Sequence, residues 1–143
     1  MKKMQKMLTG IHLSQFIILL MLIFPSSLKA QTSSVISENW MMIGESSSMI
    51  EVSARIIKCA SNSTSQIHLE IFNEGSTDQT AHFKVTLTNS LTNKQKLYEI
   101  SLAVLQGAIV KPDCGNNKYP SLRLNIPAGW DPATVQFTLT FIP

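Results

Sequence analysis

Apolar residues that recur at every second position are the feature that most narrows what this chain can become. Ile50, Val52, Ala54 and Ile56 are separated by Glu51, Ser53 and Arg55. Ile67, Leu69 and Ile71 are separated by His68 and Glu70, and Ala81, Phe83, Val85 and Leu87 by His82, Lys84 and Thr86. The same beat returns in Tyr98, Ile100, Leu102 and Val104, in Leu122, Leu124 and Ile126, and in Val135, Phe137, Leu139 and Phe141. A period of two sends one set of side chains to a core and the other to water, which is the pattern of a half-buried antiparallel strand. The Thr, Val and Ile content of the runs favours the same state.

Turn formers separate the runs: Asn73-Glu74-Gly75-Ser76, the stretch 89–93, Asp113-Cys114-Gly115-Asn116-Asn117 and Pro127-Ala128-Gly129. Six strong strands are joined by weaker candidates at Trp40–Ile43 and Ala108–Lys111. Seven or eight strands in about a hundred residues predict an all-β, antiparallel, immunoglobulin-like β-sandwich, with a small barrel as the structural alternative. The 143 residues suit one compact domain. That domain is expected over 49–143, preceded by a polar, Ser-rich leader over 31–48 that is interrupted by Trp40-Met41-Met42-Ile43. This apolar patch reads as a first edge strand, or as a sticky segment for another chain's sheet edge.

Residues 1–30 have the make-up of an address. Lys2, Lys3 and Lys6 precede an unbroken apolar run from Phe16 to Phe24, and Pro25-Ser26-Ser27-Leu28-Lys29-Ala30 forms a small, polar exit. A membrane-spanning helix needs roughly 20 apolar residues, and this run is much shorter. It therefore predicts a signal peptide cut near Ala30, with no stable membrane anchor and a mature protein that is secreted or periplasmic.

Removing that segment changes the electrostatic reading. The whole chain carries +3, but the part after Ala30 holds eight basic and nine acidic residues, a net of −1. No clustered positive excess survives, so nucleic acid is not an expected partner. No Gly-x-Ser-x-Gly elbow, His-Glu-x-x-His motif or phosphate-cradling Gly-rich loop is present, so no catalytic residue and no cofactor is expected. His68 and His82 both occupy outward positions of their strands. If those two strands pair as a hairpin, Ile71 opposes Phe83, Glu70 opposes Lys84 and His68 opposes Thr86. That register keeps the histidines apart, so they read as solvated surface and no metal site is expected.

The two cysteines test the topology. Consecutive strands that alternate in direction bring Cys59, at the end of one strand, and Cys114, after the short 108–111 strand, to the same end of the sandwich. They are 55 positions apart. A structural Cys59–Cys114 disulfide is the prediction, in keeping with export to an oxidising compartment. Three aromatics are candidate binding residues. Trp130 lies in the stiff turn Pro127-Ala128-Gly129-Trp130-Asp131-Pro132, Tyr119 lies beside Cys114, and Trp40 lies in the leader. Such residues either anchor a ligand or fold back over the end of the core.

The stretch Ile67-His68-Leu69-Glu70-Ile71-Phe72-Asn73-Glu74-Gly75-Ser76, followed by Phe83-Lys84-Val85-Thr86-Leu87, resembles the strand, Asn-x-Gly turn and strand of bacterial immunoglobulin-like modules of the CARDB (cell-adhesion-related) kind. Ile100-Ser101-Leu102-Ala103-Val104-Leu105-Gln106-Gly107 is similar to the Leu-x-x-Gly connection of those modules, and Val135 to Phe141 to their last strand. The resemblance covers roughly residues 65–142. It implies a non-catalytic, extracytoplasmic module, and it implies that the segments on either side of Asn73 lie in different sheets, against the hairpin register above.

These readings together predict a small, exported, non-catalytic protein that acts by binding an unknown protein or glycan, or as an accessory module at the cell envelope. The alternatives are a structural subunit that assembles through its N-terminal strand, and a hydrolase whose site draws together at least two of Asp113, Asp131, Glu99 and His68.

Overall fold

A computed structural model describes residues 31–33 and 38–143; the expected signal peptide and its cleavage point at Ala30 lie outside the described residues. Nine strands occur among the described residues: β1 (Gln31–Ser33), β2 (Met41–Glu45), β3 (Ile50–Ile57), β4 (Gln66–Asn73), β5 (Gln79–Asn89), β6 (Gln95–Val104), β7 (Ile109–Val110), β8 (Arg123–Asn125) and β9 (Val135–Phe141). They form two antiparallel sheets around one core, a sandwich-like all-β arrangement. One sheet has the order β1-β9-β5-β6; the other has β2-β3-β4-β7, with β8 also pairing with β4. Among the described residues no helix is long and apolar enough to cross a membrane.

The alternation is carried into the packing with little loss. Ala81, Phe83, Val85 and Leu87 of β5 are buried, as are Val135, Phe137 and Leu139 of β9, Val52 and Ala54 of β3, and Ile67, Leu69 and Ile71 of β4. Phe83 meets Phe141 edge to face, with ring centroids 5.9 Å apart. Each Val, Leu, Ile or Phe side chain among them contributes about 1.5–3 kcal/mol by leaving water. The Ser-rich stretch 31–48 is not merely a leader: it supplies β1 to the edge of β9 in one sheet and β2 to the edge of β3 in the other.

The hairpin of β4 with β5 does not form. The chain changes sheets there, so β4 pairs with β3, β7 and β8, while β5 pairs with β6 and β9. Ile71 opposes Val52 and Val110, whereas Phe83 opposes Ile100 and Phe141. Ion pairs follow the true register: Glu70 Oε2 meets Lys111 Nζ at 3.0 Å, and Glu99 Oε2 meets Lys84 Nζ at 3.7 Å. The crossing is held by Asn73, which is fully buried. Its amide nitrogen donates to the carbonyl oxygens of Thr77 and Val104, and its Oδ1 accepts from Gly75 N–H and from Gln79 Nε2. Gly75 allows this close approach, because a Cβ there would lie 2.0 Å from Gln79 Nε2.

Candidate functional site

The loop 58–65 closes a hairpin of β3 and β4, and its register sets Arg55 opposite His68. On the other side of β4, β8 sets Arg123 opposite the same histidine. Cross-strand partners share a face, so Arg55, His68 and Arg123 form one row on the outer face of the five-stranded sheet. Trp40, just before β2, extends this row. The Arg55 guanidinium carbon lies 4.5 Å from the centre of its ring, and Lys111 Nζ lies 5.9 Å away. A cation over an indole face is attracted by its quadrupole, by about 0.5–1 kcal/mol where water has access.

The disulfide closes the end of this row. Cys59 follows β3, Cys114 follows β7, and both strands run antiparallel to β4, so the two sulfurs meet at one rim with a Cα–Cα distance of 5.2 Å. Arg123 Nη2 donates to the carbonyl oxygens of Asp113 and Asn116, which fastens the loop carrying Cys114 against β8. Cys59 Sγ lies 3.8 Å from His68 Nε2, and the two sulfurs and the imidazole nitrogen all fall within 4.8 Å of one another. Removal of these cysteines from the redox pool is compatible with an oxidising compartment.

His68 departs from the surface role expected for it. It does point to the outer face, yet it is 0% exposed, because it lies between the two arginines and beneath the disulfide rim. Burial lowers its pKa from 6.5, the charges of Arg55 and Arg123 lower it further, and only Asp113 acts in the opposite direction. The imidazole is thus held neutral near pH 7. Its Nδ1 has no hydrogen-bond partner, nor has the Nε of either Arg55 or Arg123, although all three atoms are buried. His82 behaves differently: it is part-exposed on the other sheet and meets Glu99 Oε1 at 3.2 Å.

The remaining candidates are dispersed. Asp131 accepts from Ala133 N–H and caps the short 3-10 turn over Pro132–Thr134, and Glu99 serves His82 and Lys84 on the four-stranded sheet. Of the four residues named for a hydrolytic site, Asp113 and His68 are the two that interact electrostatically. Tyr119 and Trp130 are half-buried and pack against the core. Trp40 alone of the three aromatics lies on the outer face beside the cationic row.

A second feature is the edge of the four-stranded sheet. The ten residues of β6 pair with β5 on one side and with no described strand on the other. Leu97 is 55% exposed on this strand, Leu105 just beyond its end is 65% exposed, and Leu91 in the turn before it is 77% exposed. Arg55 and Arg123 are not among the residues that the sequence singles out. The signal was present in the Ser- and Asn-rich segment 60–65, since a hairpin closed there puts Arg55 across from His68.

Comparison with known proteins gives no match: no family model, no curated protein and no solved structure matches this chain.

Proposed function

We propose that this chain is a small, exported, non-catalytic β-sandwich of immunoglobulin-like type that works as a binding or accessory module at the cell envelope or outside the cell. The observation that carries this reading is the edge of β6 that no described strand covers, flanked by exposed Leu97, Leu105 and Leu91. Such an edge presents a row of backbone donors and acceptors to an extended segment of a partner, and the leucines add apolar contact. The partner is accordingly a protein with an extended, part-apolar segment; a glycan is the second ligand class, with Trp40 as its stacking surface. The basic and apolar zones of residues 1–30 and the disulfide support export.

The test is affinity capture from envelope extract with the wild type and with Leu97→Lys and Leu105→Lys, alongside a glycan array. Both leucines are exposed, so the variants keep the fold while placing charge on the edge. A protein retained by the wild type and lost by the variants supports the reading. Equal retention by all three chains, or blank results in both assays, overturns it.

The position of β1 favours a second reading, assembly through the N-terminal strand. Gln31–Ser33 pairs with β9 in one sheet while β2 joins the other, so the leader bridges the layers and could be exchanged between copies. A monomer in sizing experiments at high concentration, unchanged by deleting 31–37, overturns it.

A further inference from the structure

We propose that Cys59, Cys114 and His68 form a binding site for Cu+ once the disulfide is reduced. This rests on the rim geometry alone and is independent of the reading of β6. Three soft or borderline donors converge there, with all their ligand atoms within 4.8 Å of one another. Metal–sulfur bonds of about 2.3 Å and metal–imidazole bonds of about 2.0 Å at a trigonal centre set sulfur and nitrogen about 3.7 Å apart. Cys59 Sγ and His68 Nε2 already stand at 3.8 Å. Only the sulfurs must separate, and they belong to exposed residues on loops beyond the ends of β3 and β7.

His68 is the fixed member of the site. It is fully buried on β4, a strand paired on both sides, so its ring is held by the sheet and not by the loops. The ring nitrogen it turns to the rim is Nε2, 3.8 Å from Cys59 Sγ, while Nδ1 has no hydrogen-bond partner among the described residues.

Two arguments select Cu+ over Zn2+. The three protein donors complete a three-coordinate Cu+ by themselves, whereas Zn2+ on the same donors is left needing a water as its fourth ligand. Two thiolates and Cu+ leave a net charge of −1, and the neighbouring Arg55 and Arg123 favour that anionic centre over the neutral one formed with Zn2+. The chemistry balances with a dithiol as reductant. The dithiol transfers two electrons and two protons to the Cys59–Cys114 bond and leaves as its own disulfide. Binding of Cu+ then displaces two protons from the thiols.

The experiment uses the whole chain after its expected leader, reduced with a dithiol, desalted without oxygen and titrated with Cu+ against a chromophoric Cu+ chelator. One Cu+ per chain is expected in the reduced form and none in the disulfide form. His68→Gln lowers the affinity about tenfold or more. Because reduction weakens the fold, thermal melting supplies a second readout: Cu+ raises the midpoint of the reduced wild type by more than it raises that of reduced His68→Gln. Equal binding by oxidised and reduced chains overturns the proposal. So does unchanged affinity in His68→Gln, displacement of Cu+ by equimolar Zn2+, or a reduced chain that neither binds nor is stabilised.

Discussion

Asn73, the last residue of β4, donates its side-chain amide to the carbonyl oxygen of Val104, the last residue of β6, at 3.0 Å. One side chain thereby ties the end of one sheet to the end of the other. It also accepts from Gly75 N–H inside the crossing, and its own backbone N–H and carbonyl bond to Ala108 O and Gly107 N–H. Asn73→Ala leaves the Thr77 and Val104 carbonyls and the Gly75 N–H without that partner, at about 3 kcal/mol for the set. Asn73→Asp is worse, since it loses both donors and buries a charge. Urea unfolding of the three chains checks the order wild type, Ala, Asp.

The disulfide closes a loop of 55 positions. Chain-entropy reasoning assigns such a ring about 4 kcal/mol, an upper value because it counts only the unfolded state. The double variant Cys59→Ser, Cys114→Ser is expected to unfold at lower urea by up to that amount. Free-thiol titration of the native wild type is expected to find no reactive sulfur, since both cysteines are paired.

Phe83 is fully buried, at the centre of β5, and meets Phe141 edge to face. Phe83→Ala removes both the transfer term and the packing of its neighbours, about 3–5 kcal/mol. Leu97→Ala, on the exposed face of β6, is expected to change stability by no more than about 0.5 kcal/mol. Denaturation midpoints of the two variants separate core from edge.

Tyr98 of β6 donates its hydroxyl to the carbonyl oxygen of Asn125 in β8, at 2.5 Å, linking the sheets near the start of β4. Burial raises its pKa from 10.0. The unfolded chain therefore loses the phenolic proton first, and the stabilisation is complete below pH 10 and is lost as pH climbs through the higher folded value. Tyr98→Phe flattens this alkaline loss and gives up the link to Asn125. Stability measured from pH 8 to 11 on both chains checks the sign.

Much of the fold could be read because a period-two pattern fixes which face of a strand is buried, as in β5 and β9, whatever the strand's neighbours are. What the pattern leaves open is pairing. Asn73-Glu74-Gly75-Ser76 suits a hairpin and a crossing between sheets equally well, and the choice is made by Asn73's bonds to Val104, Gln79 and Thr77, which are distant or non-repeating in sequence. His68 differs from its expected place for a related reason. An outward-facing residue need not face water: β4 is flanked by β3 and β8, and the arginines of those strands and the sulfur rim cover His68. The pairing of Cys59 with Cys114 was accessible from strand direction alone, whereas the arrival of His68 beside them depended on the hairpin around 58–65.

The covalent ring closed by Cys59 and Cys114 encloses all of β4, β5, β6 and β7, strands taken from both layers, together with the turn where Leu91 stands exposed. A protease that clips the backbone at that tip severs the chain without dividing the molecule. The two pieces stay joined through sulfur, and by strand pairing β5 and β6 keep their places. A cut before residue 59 or after residue 114 has no such tether, so the hairpin tip a protease can reach is one whose cleavage sets nothing loose.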